Sequence, residues 1–159
     1  MIKTHDERRN SMRRLIATNA PAVVILIRLM VGAVFLSEGI QKFLFPADVG
    51  AGRFERIGIP YPETVAQFVG CFEIACGALL LLGLFTRFAA IPLIIIMLTA
   101  IATTKIPILL DQGFWKMSHA ARTDWSMLLG SLFLLVVGGG RLSVDYFWSE
   151  RQRAPGPVE

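Results

Sequence analysis

Four long apolar stretches dominate the chain, and the short segments between them carry most of its charged and polar residues. The stretches are Ala22–Phe45, Thr64–Leu84, Phe88–Leu110 and Trp125–Gly140. A transmembrane helix needs about 20 mostly apolar residues to cross the hydrocarbon core of a bilayer, and each stretch approaches or exceeds that length. The pattern therefore predicts an all-α fold, an integral membrane four-helix transmembrane bundle. It places one domain at residues 21–145, between a basic arm at residues 1–20 and a tail at residues 146–159 whose end is disordered.

The composition supports a membrane protein. Of 159 residues, 54% are hydrophobic, and the mean hydropathy is +0.58, whereas soluble domains have a lower apolar fraction. The first stretch is not a cleaved signal peptide, because Arg28 interrupts it and no small-residue cleavage site follows. The net charge of +4 requires no nucleic acid as partner, since a basic arm beside anionic membrane lipid accounts for it.

Basic residues are unevenly divided between the two sides of the predicted bundle. Nine lie on the side of both termini, and five lie on the side of the two longer loops. Because cytoplasmic segments of membrane proteins are enriched in Lys and Arg, this bias predicts that both termini are cytoplasmic. We therefore expect a multi-pass protein of the cell (plasma) membrane.

Glu73 is the one charged residue inside the second apolar stretch. A carboxylate within the hydrocarbon is energetically costly unless it is protonated, paired or turned toward the protein interior. Intramembrane acids therefore often mark functional sites, and Glu73 is a candidate. The alternative is a buried ion pair that only holds two helices together.

Helical periodicity predicts which residues surround Glu73. One face of the first predicted helix carries Arg28, Val31, Phe35, Glu38 and Lys42. One face of the second carries Ala66, Gly70, Glu73, Cys76 and Gly77. Small residues beside a carboxylate allow another helix to approach closely, so we expect the two faces to meet. The long side chain of Arg28 is expected to reach toward Glu73, while Lys105 ends the third span and Asp124 begins the fourth.

A polar cluster of this kind has two interpretations. Its charges either pair and fix the helices, or they line a pocket for an amphiphile with a flat polar head. A quinone fits the second interpretation, because its carbonyl oxygens need hydrogen-bond donors and its reduction needs protons. Lys42 or Arg28 would donate, Gln41 would add a hydrogen bond, and Glu38 or Glu73 would transfer protons.

Other redox and metal chemistries are disfavoured. Cys71 and Cys76 are five residues apart, so on a helix they point about 140° away from each other and do not form a CxxC pair. His5 and His119 lie in a tail and a loop, and no carboxylate–histidine spacing indicates metal ligands. We therefore expect no metal site and no intrinsic cofactor. Electrons would pass through a membrane quinone or a redox centre on a partner subunit.

Three groups of residues resemble the DoxX family of membrane proteins. They are Arg28-Leu-x-x-Gly32 with Gly39-x-x-Lys42-Phe43 in the first helix, Gly83-Leu-Phe-Thr86-Arg87 after the second, and Gly140-Arg-Leu-Ser-Val-Asp145 after the fourth. The resemblance covers about Val24–Asp145. It implies a four-helix membrane protein with a link to quinone-coupled oxidation, because the family's archetypes are membrane subunits of a thiosulfate:quinone oxidoreductase.

The same resemblance assigns family positions to the candidate residues. The family's acid falls on Glu73, its first-helix basic positions fall on Arg28 and Lys42, and its fourth-helix acid falls on Asp124. Glu38 departs from the family pattern, since many members have a small residue or His there. That departure leaves the identity of the substrate open.

These observations together predict a quinone-interacting membrane subunit of an oxidoreductase system. Glu73 and Glu38 are the predicted catalytic residues, and Arg28, Lys42, Gln41 and Asp124 are the predicted quinone-binding residues. The expected partners are membrane lipid, a soluble redox partner subunit and further copies of the chain. Two alternatives stay open, namely a non-catalytic binder or carrier of a small amphiphile and a membrane scaffold that docks a soluble partner.

Overall fold

The computed structural model describes residues 20–151, and within that range the chain is helical with no β-strand. The elements are α1 Val24–Leu44, α2 Ala51–Arg56, α3 Pro62–Leu82, α4 Thr86–Ala100, a π-helix Ile101–Lys105, α5 Ile106–Gln112, α6 Phe114–Ala120, α7 Arg122–Val137 and α8 Val144–Arg151. The predicted basic arm before residue 20 and the last residues of the predicted tail lie outside the described residues.

Three helical segments are long and apolar enough to cross a membrane. They are α1, α3 and the run from α4 through the π-helix to α5, which spans Thr86–Gln112. The fourth apolar stretch forms α7, which has 16 residues and a length of about 24 Å. It meets the same criterion only together with α6, from which it is bent by 61°. The prediction of an all-α membrane bundle is confirmed, with a third span that contains a π-helix and a fourth that begins at a bend.

The closest helix packing in the bundle joins α1 and α3, which run antiparallel. Glycines make this approach feasible, because a Cβ on Gly77 would lie 2.7 Å from the backbone nitrogen of Leu36, and one on Gly39 would lie 2.8 Å from the carbonyl oxygen of Gly70. Small residues serve the same purpose at many transmembrane crossings. The buried residues of α3 are Ala66, Gly70, Glu73, Cys76, Gly77 and Leu80. The expected meeting of the two helix faces is therefore confirmed.

The spans alternate in direction between two ends of the bundle. We call the end that holds Ala20, the α3–α4 turn and α8 the terminal end, and the end that holds α2, α5 and α6 the loop end. α4 packs mainly on α7, and Gly130 of α7 lies against Val31 of α1. The buried apolar core between the spans consists of Val24, Val31, Phe35, Cys76, Leu80, Ala89, Leu93, Met127 and Leu134.

The chain stays helical beyond residue 145, because α8 continues to Arg151. α8 buries Asp145 and Ser149 and exposes Phe147 and Trp148. The Trp148 ring packs edge to face on Phe85, with ring centroids 6.2 Å apart. Exposed aromatic rings beside polar groups are typical of a membrane–water interface. The first residues of the segment expected as a tail thus belong to the folded part.

Candidate functional site

Glu73 and Lys42 form a buried ion pair between α3 and α1. The Lys42 Nζ atom lies 2.6 Å from Glu73 Oε2, and the side chains of the lysine and the glutamate are 8% and 4% exposed. Glu73 lies on the face of α3 where Gly70 and Gly77 let α1 approach. Lys42 belongs to the last turn of α1, and its flexible apolar stem carries the ammonium group to the carboxylate.

Glu38 and Arg53 complete the electrostatic surroundings of Glu73. Both lie close enough to act on its carboxylate, Glu38 from α1 and Arg53 from α2. Among the described residues, neither lies within ion-pair distance of an opposite charge. With Lys42, the group contains two carboxylates and two cations and is neutral as a whole. Charges that balance in this way are tolerated in surroundings of low polarity.

Polar side chains continue from the ion pair around α1 toward the surface that faces lipid. Ser37 is exposed, Glu38 and Gln41 are half-buried, and the Lys42 side chain is nearly buried. The Gln41 Nε2 atom donates a hydrogen bond to Ser37 Oγ at 2.9 Å. Successive residues of a helix are about 100° apart, so these four residues extend from the exterior into the bundle. We call Ser37, Glu38, Gln41 and Lys42 the polar arc.

Arg28 lies at the terminal end, away from Glu73. Its guanidinium donates hydrogen bonds to the carbonyl oxygens of Leu80 at 2.8 Å, Leu81 at 2.7 Å, Gly139 at 3.1 Å and also Leu142. The last carbonyl groups of a helix lack partners within the helix, which explains why those of α3 attract a guanidinium. Lys42 follows Arg28 by 14 residues, about 21 Å along α1. The expectation that Arg28 reaches toward Glu73 is therefore wrong.

Asp145 is a structural residue that the sequence reasoning did not identify. Its carboxylate is buried and accepts hydrogen bonds from the backbone N–H groups of Phe85 at 2.8 Å and Thr86 at 3.0 Å. The carboxylate therefore caps the start of α4 from another helix. The Asp145 N–H donates to the carbonyl oxygen of Gly83 at 3.0 Å, and the side chain interacts electrostatically with Arg28.

The motif that begins at Gly83 and the motif that ends at Asp145 thus meet around Arg28. We call Arg28, Gly83, Thr86 and Asp145 the terminal knot. A Cβ on Gly83 would lie 2.5 Å from Arg28 Cζ, which shows how closely these groups pack. The signal for Asp145 was its place at the end of the Gly140–Asp145 motif, although nothing in the sequence indicated which residue it contacts.

Asp124 pairs with a lysine other than Lys42. The Lys105 Nζ atom lies 3.2 Å from Asp124 Oδ2, and the two side chains are 13% and 16% exposed. Lys105 ends the π-helix and Asp124 lies in the first turn of α7, so this second ion pair ties the third span to the fourth. Of the predicted site residues, the structure groups Glu73, Glu38, Lys42 and Gln41, places Asp124 in the second pair, and places Arg28 at the opposite end.

The other candidate ligands and thiols do not gather at a site. Across residues 20–151 no three His, Cys, Asp or Glu side chains are close enough to hold a metal ion. Cys71 is exposed, Cys76 is buried, and both are free thiols. His119 lies 2.8 Å from Arg122 in the loop-end segment.

Comparison with known proteins identifies relatives of this chain. The DoxX family profile matches residues 23–106, which is more than half of the chain. A protein of Mycobacterium tuberculosis (strain ATCC 25618 / H37Rv), called uncharacterized membrane protein Rv3486, is 55% identical over 152 residues, and the alignment covers 92% of this chain and 93% of that protein. No solved structure matches. The matched profile region includes both Arg28 and the Lys42–Glu73 pair.

Proposed function

The chain belongs to the DoxX family, and from this premise we propose that it is the quinone-interacting membrane subunit of an oxidoreductase system. The Lys42–Glu73 pair and the polar arc would bind the head group of a membrane quinone, while the quinone's apolar tail stays in the bilayer. A soluble redox partner subunit would supply the electrons.

The observation that carries this proposal is the graded burial of the polar arc. An amphiphile that enters from the bilayer would meet the exposed Ser37 and the half-buried Gln41 first, and the buried Lys42–Glu73 pair last. A lysine ammonium has three N–H donors, so it can serve Glu73 and a quinone carbonyl oxygen at the same time. An ion pair that only fixed two helices would need no polar path to the lipid surface, so this path favours a ligand.

The side chains also suit the proton chemistry of a quinone. Reduction to the quinol takes up two electrons, which the partner subunit would supply, and two protons, which water at the loop end would supply. Glu38 and Glu73 would transfer those protons, because both are carboxyl groups beside the proposed head-group position. Lys42 would hold the carbonyl oxygen on which negative charge develops, and the nearby Arg53 would help to balance the two carboxylates.

We further propose that the loop end faces the outside of the cell and that both termini lie in the cytoplasm, in the plasma membrane. The excess of basic residues on the side of the termini, nine against five, supports this orientation. Labelling of single cysteines in a cysteine-free background tests it. An Arg53→Cys variant should react with an impermeant thiol reagent in intact cells, and an Arg151→Cys variant should not. The opposite pattern of labelling would reverse the proposed topology.

A Glu73→Gln variant tests the chemistry. The substitution removes the charge but keeps the shape and a hydrogen-bonding group, so we expect a folded protein that retains bound quinone and loses quinone reduction. Thermal stability, quinone occupancy by mass spectrometry and turnover with the redox partner should be measured on the same preparation. Glu63→Gln is the matched control, because Glu63 is an exposed acid in the first turn of the same helix.

Other outcomes separate the proposal from its alternatives. Full turnover by a folded Glu73→Gln protein would remove Glu73 from the chemistry. Loss of stability without quinone in either protein would indicate a structural ion pair, because Lys42 would then be left uncompensated. In that case a carrier of a different amphiphile or a scaffold for a soluble partner would become the better description of the protein.

A further inference from the structure

The π-helix in the third span determines which way Lys105 points. Leu93 is buried on the inward face of α4, and Lys105 follows it by 12 residues, which in an uninterrupted α-helix would place Lys105 about 120° from that face. A π-turn contains one extra residue and removes about 100° of that rotation. Lys105 consequently lies about 20° from the inward face, within reach of Asp124 on α7.

Neighbouring residues allow this irregular turn to persist inside an apolar span. The hydroxyl groups of Thr99, Thr103 and Thr104 donate to carbonyl oxygens three or four residues earlier, at 2.9, 2.8 and 2.6 Å for their shortest bonds. Pro107 lies two residues after the end of the π-helix and has no N–H to continue the regular pattern. π-turns are rare and are found frequently at functional sites. The π-turn that directs Lys105 inward therefore suggests a functional role for this lysine.

The second ion pair lies at the same depth as the polar arc. Gly130 of α7 lies against Val31 of α1, and the two helices are antiparallel. Asp124 precedes Gly130 by six residues, about 9 Å toward the loop end, and Glu38 follows Val31 by seven residues, about 10.5 Å in the same direction. Asp124 and Glu38 are therefore level to within about 2 Å.

Glu73 lies at this depth as well. Gly39, the residue after Glu38, would place a Cβ 2.8 Å from the carbonyl oxygen of Gly70 and 2.9 Å from the backbone nitrogen of Ile74, and Glu73 stands between those two residues of α3. The Lys42–Glu73 and Lys105–Asp124 pairs thus occupy one layer of the bundle. One pair belongs to the first and second spans, and the other belongs to the third and fourth.

We propose that Lys105 is a second head-group-binding residue of the same site and donates to the quinone carbonyl opposite the one that Lys42 binds. This inference rests on the proposed function. A para-quinone presents its two carbonyl oxygens in opposite directions, so it needs donors from two walls. Each lysine is already neutralised by its own carboxylate, so a neutral head group can accept from both without disturbing the charge balance.

Two ring systems, one with two carbonyls and one with a single carbonyl, test the inference. The probes are a decyl 1,4-naphthoquinone and the corresponding decyl 1-tetralone, which keeps the fused benzene ring but lacks the second carbonyl and the double bond of the quinone ring. Each probe is compared between the unaltered protein and the variant, so the difference in ring saturation cancels. The variant is the double substitution Lys105→Met with Asp124→Asn, which removes the donor without leaving a buried charge unpaired. It should weaken naphthoquinone binding by about tenfold or more, the value of a hydrogen bond to a charged donor, and leave tetralone binding unchanged. Lys116→Met is the control, because Lys116 is an exposed lysine on α6.

Two further variants distinguish hydrogen-bond donation by Lys105 from an effect of side-chain packing. Lys105→Arg keeps a cationic donor and should retain the preference for the naphthoquinone. Insertion of one alanine after Ala102 adds about 100° of rotation, turns Lys105 about 120° away from the inward face and should abolish that preference. Equal loss of both probes, or no loss of either, in the double variant would overturn the role of Lys105 while leaving the proposed function in place. Absence of naphthoquinone binding by the unaltered protein would instead overturn the proposed function and this inference together.

Discussion

A Gly77→Ala substitution should destabilise the bundle, because the added methyl group would meet backbone atoms that cannot rotate away. The new Cβ would lie 2.7 Å from Leu36 N, 2.9 Å from Gly32 O and 3.1 Å from Leu36 Cα. An ordinary contact begins at 3.4 Å, so the shortest distance is too small by 0.7 Å. Only a shift of α1 relative to α3 can relieve all three contacts.

The size of the effect follows from two opposing contributions. Overpacking of this kind costs about 1–3 kcal/mol, while replacing a helical glycine by alanine returns about 0.5–1 kcal/mol of helix stability. We therefore expect a net loss of up to about 2.5 kcal/mol with a central value slightly above about 1 kcal/mol, and each kcal/mol lowers the Tm of a chain of this length by about 2–4 °C. Cys76 is 6% exposed and reports unfolding to a thiol-reactive fluorophore in a Cys71→Ser background.

Gly70→Ala is the matched control on the same face of the same helix. Its Cβ would meet the ring of Phe43, at 2.8 Å from Cε2, and the nearest backbone atom would be Gly39 O at 3.4 Å. Phe43 is 44% exposed, so its ring has room to turn aside. Gly70→Ala should therefore lower the Tm less than Gly77→Ala does. An equal or larger loss at Gly70, or a rise in Tm at Gly77, would refute the argument that backbone contact sets the cost.

Two further predictions concern the terminal knot. Asp145→Asn should cost about 1–3 kcal/mol, since it replaces a charged acceptor of two backbone N–H groups by a neutral one with a single acceptor oxygen. The same Cys76 assay measures the loss, with Glu63→Gln at an exposed acid of α3 as control. Arg28→Lys should destabilise the protein by about 1.5–3 kcal/mol for each charged hydrogen bond lost, because an ammonium cannot reproduce the planar fork that donates to several carbonyl oxygens. A protein with unchanged Tm and yield in detergent would contradict this.

The sequence was sufficient to predict the long apolar helices and the face of α3 that is buried, although it assigned α8 to a tail. Gly70, Glu73 and Gly77 share that face by helical periodicity, and the cost of a charge in lipid requires that it point inward. Both arguments depend on local spacing and on the membrane as solvent. The same argument placed Arg28 and Lys42 on the facing side of α1 but expected Arg28 to reach toward Glu73, so the pairing with Lys42 was not predicted.

The contacts of Arg28, Asp145 and Lys105 could not be predicted in this way. The contacts of Arg28 and Asp145 depend on backbone groups that become available only after the fold is assembled, and the contact of Lys105 depends on the helical register. Arg28 binds carbonyl groups at the end of α3, and Asp145 caps a helix that starts 59 residues earlier. Lys105 points inward only because a π-turn shifts the helical register, and a spacing rule based on the regular α-helix assigns it a different direction.

Relatives of this protein can differ in the polar arc without a change in the terminal knot, because the two groups lie at opposite ends of the bundle. The knot contains closely packed groups whose hydrogen bonds connect four segments of the chain, so a change there acts on folding first. Glu38 is half-buried, lies beside Glu73 and has no ion-pair partner among the described residues. A small residue or a histidine at that position, as the family resemblance indicates for many members, would alter the charge and the space beside the proposed head group while leaving every bond of the knot intact. Differences at Glu38 should therefore change which ligand binds rather than whether the bundle forms, and this is the position where substrate identity within the shared fold should be sought.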